Sequence, residues 1–213
     1  MGAGKTSWAI QEMQKNEQYN YLYITPYLDE VKRIKNNCSN RKFYEPGDGT
    51  KSTKQKDLHW LLENNKDIVS THALFKKSNK ITRELIKAGN YVLILDEVMD
   101  VVDYLKLSKN DLNDLIKRGH IIIDKEKNNL IKWSEESDDY EGRFNDIKIM
   151  AQNNSLFLIG ETTILVWTFP IDVFYCFQDV YILTYLFEGQ IQRYYYDLYN
   201  FDYKYFYVGK IND

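Results

Sequence analysis

Tyr91-Val92-Leu93-Ile94-Leu95-Asp96-Glu97 is a short apolar run closed by two acids. A strand buried on both faces reads as such an unbroken run rather than as an alternation, which is the mark of a parallel sheet. Acids at the C-terminal end of that strand stand where open α/β sheets bind their ligands. Asp96 is placed to hold a divalent cation through water, and Glu97 to orient or deprotonate an attacking water. An acidic loop after a core strand is the plain alternative, and what precedes this run on the chain decides against it.

The chain opens Met1-Gly2-Ala3-Gly4-Lys5-Thr6-Ser7. Gly4, Lys5 and Thr6 match the last three positions of the phosphate-binding pattern G-x-x-x-x-G-K-[ST]. The first Gly of that pattern would fall before Met1, and so would the strand that feeds the loop, so the pattern reads as cut at the front. The residue types suit phosphate for physical reasons. Gly2 and Gly4 let the backbone curl and turn its N–H groups inward. A helix starting near Lys5 offers free N–H groups and the positive end of its dipole. Lys5 brings a flexible cation to the terminal phosphates, and Thr6 a hydroxyl to Mg²⁺. The expected site is therefore Gly2, Ala3, Gly4, Lys5, Thr6 and Ser7 for ATP, Thr6 and Asp96 for Mg²⁺, and Lys5 and Glu97 for catalysis.

The 213 residues allow one large or two small domains, and an apolar fraction of 44% supplies a real core. No apolar run is long enough for a transmembrane helix and no signal peptide is visible, so a cytoplasmic protein without a membrane partner is expected. Cys38 and Cys176 are far apart and read as free thiols of a reducing compartment. His59, His72 and His120 are scattered and suggest no metal cluster. The net charge of −3 hides an asymmetry: residues 1–90 carry +6 and residues 91–213 carry −9. A basic front half is able to meet phosphate backbones, although on charge alone ordinary solvated helix faces are the favoured reading.

Thr6 to Lys15 reads as a helix and Tyr21 to Thr25 as a strand stopped by Pro26. Leu28 to Lys35 is the next helix. Asn36 to Lys56 is polar, with Phe43-Tyr44 as its one candidate strand. A helix over Leu58 to Asn64, a strand over Asp67 to Thr71 and a helix over Thr82 to Ala88 follow. Alternation of this kind predicts a parallel sheet with right-handed crossovers. The pattern then changes. Ile121 to Ile123 and Leu130 to Trp133 read as a β-hairpin. Ser134 to Glu141 is acidic and reads as loose. Leu156 to Ile159 and Ile164 to Trp167 read as a second hairpin or two strands, and Val180 to Leu183 as another strand. Leu186 to Leu198 is a Tyr-rich helix candidate and Tyr203 to Val208 a final strand.

In this order the pieces resemble the first RecA-like lobe of superfamily 2 (DEAD-like) helicases and translocases, in a style found among phage and prophage replication proteins. Gly2-Ala3-Gly4-Lys5-Thr6 looks like the rest of motif I, Ile24-Thr25-Pro26-Tyr27 like motif Ia, Ser70-Thr71-His72 like the next backbone-contact motif, and Asp96-Glu97-Val98-Met99 like motif II. Trp167-Thr168-Phe169-Pro170 resembles motif III in its last three residues. The resemblance covers roughly residues 1–185. It implies an α/β fold: a RecA-like parallel sheet with helices on both faces, as in P-loop NTPases, plus a β-hairpin insertion and the start of a second lobe. The expected division is 1–175 for the nucleotide-binding lobe, lacking its first strand, and 176–213 for the start of a second lobe or a C-terminal extension. It implies nucleic-acid contacts at Thr25, Pro26, Tyr27, Thr71 and His72, and a coupling role for Thr168. The implied partners are single-stranded nucleic acid, DNA before RNA, and a second helicase lobe or replication proteins in a host cytoplasm. A degenerate lobe that binds nucleic acid or a partner without turnover, and a P-loop packaging or transport ATPase, remain open beside the helicase.

Overall fold

The structure, a computed structural model, describes residues 4–47 and 53–207. The chain divides into two compact units, residues 1–99 with 171–213 and residues 100–170.

In the first unit, helix α1 (Lys5–Lys15) leads into strand β1 (Asn20–Thr25) and helix α2 (Leu28–Asn37). The two-residue strand β2 (Phe43–Tyr44), helix α3 (Lys54–Glu63) and strand β3 (Asp67–Thr71) follow. The one-turn helix α4 (His72–Phe75) and helix α5 (Lys80–Ala88) precede strand β4 (Tyr91–Asp96). These strands form a parallel sheet completed by β10 (Val180–Leu183), in the order β10-β4-β1-β3-β2. The expected parallel α/β architecture is present.

The unbroken apolar runs have a simple cause. Alternate residues Tyr21, Tyr23, Val92 and Ile94 pack with Ala9 and Met13 of α1 and Val31 and Ile34 of α2. The residues between them, Leu22, Ile24, Leu93 and Leu95, are equally buried. Both faces of the central strands are therefore covered, and neither has a polar side to show. Local signals set the helix ends: Thr53 accepts from the Lys56 N–H to start α3, and Asn79 and Thr82 form a reciprocal capping box at α5.

The C-terminal edge of the sheet is fixed by register. Thr25 lies beside Thr71, and Leu183 beside Asp96. At the opposite end Arg41 ties the elements together. Its guanidinium donates to the carbonyls of Met13 (2.5 Å), Asn16 (2.5 Å) and Tyr19 (3.0 Å) and to both oxygens of Asp67 (3.0 Å each). It also lies over the Tyr21 ring.

The second unit is a five-stranded antiparallel sheet in the order β5-β9-β8-β7-β6. Its strands are β5 (Val102–Lys106), β6 (Ile121–Asp124), β7 (Leu130–Trp133), β8 (Leu156–Leu158) and β9 (Ile164–Thr168). Helices α6 (Lys109–Lys117) and α7 (Asn145–Gln152) contribute buried Leu112, Leu115, Ile147 and Ala151. The chain enters and leaves this unit side by side, because the Phe169 N–H donates to the Val101 carbonyl at 2.7 Å.

Five expectations are corrected. The chain does not divide at 175: β10 pairs in parallel with β4, which makes it a strand of the first sheet rather than the start of another lobe. The expected hairpin at 121–133 is one part of a larger inserted unit spanning residues 100–170. Segment 134–141 is built rather than loose: Trp133 Nε1 donates to the Ser137 carbonyl at 3.0 Å, and the Tyr140 ring packs on His120 and Trp133. Finally, α8 covers only Ile191–Leu198, and residues 203–207 form no strand; Val208 lies outside the described residues. Tyr203 and Tyr205 instead pack against Phe187.

Candidate functional site

Gly4 is the residue from which α1 springs. Its left-handed backbone, φ 75° and ψ 4°, suits a residue without a Cβ. Among the described residues no side chain caps this helix, so the first-turn N–H groups at Lys5, Thr6 and Ser7 are without an intrahelical partner. The backbone there carries partial positive charge and favours an anion. Gly2 and Ala3, expected to share the phosphate, lie outside the described residues. Ser7 is exposed, whereas Lys5 and Thr6 are half-buried.

Asp96 ends β4 with 7% of its surface exposed. Burial pushes its carboxyl above the usual carboxylate range, and Glu30 and Glu97 add to the rise, whereas Tyr23 and Lys5 oppose it. Glu97 follows with φ 67°, a left-handed conformation uncommon for a residue with a long side chain. The neighbouring strand holds it there: the Glu97 N–H donates to the Leu183 carbonyl at 3.1 Å. The turn sends the Glu97 carboxylate to two partners. Lys5 Nζ lies 2.9 Å from Oε1, and the Thr184 hydroxyl donates to Oε2 at 3.2 Å. A strained conformation at the end of a buried strand is the kind of feature that accompanies function.

Tyr23 completes the site from below. It is fully buried on β1, and among the described residues its hydroxyl has no hydrogen-bond partner. That hydroxyl interacts with the Asp96 carboxylate and the Thr6 hydroxyl, and burial beside Asp96 pushes its pKa far up.

Lys5, Thr6, Asp96 and Glu97 thus come together at the α1 N-terminus and the C-terminal end of β4. Thr25 and Thr71 end neighbouring strands on the same sheet edge. Thr25 is buried, and its hydroxyl accepts from the Tyr27 N–H at 3.3 Å. Pro26 and Tyr27 are exposed, and His72 opens α4. Thr168 ends β9 in the second unit, paired with Val102. The threonine that touches Glu97 is Thr184, one residue past the end of β10. Sequence reading missed both Thr184 and Tyr23. The rule that drew attention to Asp96, a polar residue at the C-terminal end of an apolar run, also fits Leu183-Thr184. Nothing in the sequence singles out Tyr23.

Such an arrangement is able to bind a phosphate at the helix terminus, hold a hydrated divalent cation between Thr6 and Asp96, and present a carboxylate, Glu97, to a water molecule. Arg193, the one arginine beyond position 143, is engaged at α8: its Nε donates to the Tyr203 hydroxyl, and it pairs with Asp197. No helix of the described residues is long and apolar enough to cross a membrane.

The fold and site define an α/β protein with a polar centre at the C-terminal edge of a parallel sheet, interrupted by an antiparallel unit. Residues 102–167, within that unit, match the family model described as the YonV middle domain. The chain is similar to the SPbeta prophage-derived uncharacterized protein YonV of Bacillus subtilis (strain 168), with 47% identity over 225 aligned residues that cover 100% of this chain and 53% of that protein. The chain therefore spans about half the length of this relative. No solved structure matches it.

Proposed function

We propose that this chain is the ATP-binding lobe of a P-loop-type helicase or translocase that couples hydrolysis to movement on nucleic acid. The observation that carries the reading is the convergence of Lys5, Thr6, Asp96 and Glu97, far apart in sequence, at the free N-terminus of α1. The residues fit an ATP–Mg²⁺ ligand. Gly4 has the left-handed turn that bares the first-turn N–H groups, and Thr6 and Asp96 are a hard oxygen set suited to Mg²⁺. The buried Tyr23 hydroxyl beside them has no partner among the described residues. When bound, Mg²⁺ neutralises phosphate charge and helps align the phosphates.

The chain's own groups divide the work. The N–H groups of Lys5, Thr6 and Ser7 hold phosphate oxygens. Lys5 exchanges its Glu97 partner for a terminal phosphate, because the phosphate carries more charge. Glu97 is then left on Thr184, oriented to accept a proton from the attacking water. Thr25, Pro26, Tyr27, Thr71 and His72, near or at the same sheet edge, are the proposed contacts to a single-stranded backbone, DNA before RNA. The relative's name, prophage-derived, supports a phage setting for such an activity.

The test is ATP turnover with and without single-stranded DNA. Slow, DNA-stimulated hydrolysis is expected, falling about 10²–10⁴-fold in Glu97→Gln and abolished in Lys5→Ala. Hydrolysis unaffected by either substitution would remove the site, and DNA binding without any ATP binding would favour the non-catalytic module.

A further inference from the structure

A buried hydroxyl without a partner is uncommon, because it forgoes the hydrogen bonds water would give it. Tyr23 is such a group, fully buried in the middle of the sheet's central strand. A phenylalanine would fill the same space without the unmet hydroxyl. The surroundings of the hydroxyl are specific: Tyr23 and Ile94 pack on the same face against α1, the helix that carries Thr6, and Asp96 and Thr6 are among the groups whose fields act on it. Pairing of β1 with β4 fixes this placement, with Tyr23 beside Ile94, two residues before Asp96.

We propose that Tyr23 is a positioning residue for a hydrated divalent cation, acting as the middle of a relay from Thr6 to Asp96. The inference rests on the nucleotide-site reading above. A threonine oxygen turned toward a cation must send its own proton elsewhere, and the Tyr23 oxygen is the acceptor at hand. Tyr23 in turn donates its proton to one oxygen of Asp96 and leaves the other oxygen for the cation or its water. The directions agree with the electrostatics: the Thr6 contact stabilises charge on the Tyr23 oxygen, as a donor does, and the Asp96 contact opposes it, as an acceptor does. No proton is transferred; three hydroxyl and carboxylate groups are oriented. The Tyr23 hydroxyl is available to such a relay, because among the described residues it has no hydrogen-bond partner. With Thr6 and Asp96 turned toward a cation, the Tyr23 hydroxyl would accept from the one and donate to the other, closing the relay. Tyr23 is thus a group whose hydrogen bonds are made only in the loaded site, which adds a preference for a cation-bound nucleotide over the bare one.

The experiment titrates the full chain with ATP in Mg²⁺ and again in EDTA, for the wild type and Tyr23→Phe, with thermal unfolding of each ligand-free protein. The expected result is an unfolding temperature for Tyr23→Phe equal to or above that of the wild type, unchanged affinity in EDTA, and affinity in Mg²⁺ lower by about tenfold, roughly one hydrogen bond. Thr6→Val should remove most of the same increment, and adding Tyr23→Phe to it should then change little. Equal affinity of wild type and Tyr23→Phe in Mg²⁺, or an equal loss in Mg²⁺ and EDTA, overturns the relay and leaves the nucleotide site standing. A wild type that binds ATP in neither condition overturns the nucleotide site, and the relay with it.

Discussion

Replacing Arg41 with alanine should unfold the first unit far more readily than any surface substitution. The Arg41 and Asp67 side chains are 8% and 14% exposed. Truncation removes the donors to three carbonyls, at Met13, Asn16 and Tyr19, and both contacts to Asp67. Among the described residues the Asp67 carboxylate then keeps one donor, the Tyr21 N–H at 2.9 Å. Breaking a buried ion pair from one side costs about 3–5 kcal/mol, because the remaining charge stays in the interior. For a chain of this size that corresponds to a fall of roughly 6–20 °C in unfolding temperature. Urea titration followed by amide exchange in β1 and β3 reads the loss in the correct unit, whereas whole-chain fluorescence mixes both. The sign with pH is fixed as well. Burial already holds the Asp67 carboxyl above its usual range despite Arg41. A raised folded pKa means stability that is present at low pH and lost as pH rises through that pKa. The deficit of Arg41→Ala should accordingly shrink on acidification, and Asp67→Asn should restore part of it at neutral pH. A loss below about 1 kcal/mol, the scale of an exposed pair, with no recovery in acid, would refute the reasoning.

Other outcomes follow from the site and the second unit. Asp96→Asn should raise the unfolding temperature of the ligand-free chain at neutral pH, since the folded carboxyl is raised by burial and the penalty for its charge appears as pH rises; the same substitution should abolish Mg²⁺-dependent ATP binding, and in the wild type that binding should fade on acidification sooner than an ordinary aspartate would allow. Thr184→Ala should reduce ATP turnover, because it frees the Glu97 carboxylate; an unchanged steady-state rate would count against that role. Residues 100–170 expressed alone should fold cooperatively with dispersed amide signals, given the unit's own core and its adjacent ends.

The first sheet was legible because its strands are buried on both faces, so each appears as an apolar run such as Tyr21 to Thr25 or Tyr91 to Leu95. The nucleotide-site candidates stood out for a related reason: polar residues placed directly after such runs, or in a Gly-rich start, have few structural uses. The extent of the second unit was not legible. Strand β5 is an edge strand whose residues are largely exposed, so Val102-Asp103-Tyr104-Leu105-Lys106 lacks a core pattern. Its helices are short and bury few positions each, Leu112 and Leu115 in α6 and Ile147 and Ala151 in α7. Thr168 attracted attention through its neighbours Phe169 and Pro170, a local pattern that does not reveal which sheet a strand joins. Arg41 sits in a polar stretch with no periodicity, and its partners come from three separate segments, so only the fold brings them together.

The central claim is that a triphosphate binds at the N-terminus of α1 against the end of β4. Amide hydrogen exchange of the chain with and without ATP–Mg²⁺ tests it at the residues concerned. The account predicts slowed exchange at Lys5 to Trp8 and at Glu97 to Met99, lost in Lys5→Ala. Protection confined to the second unit, or no protection at saturating ATP–Mg²⁺, would contradict it.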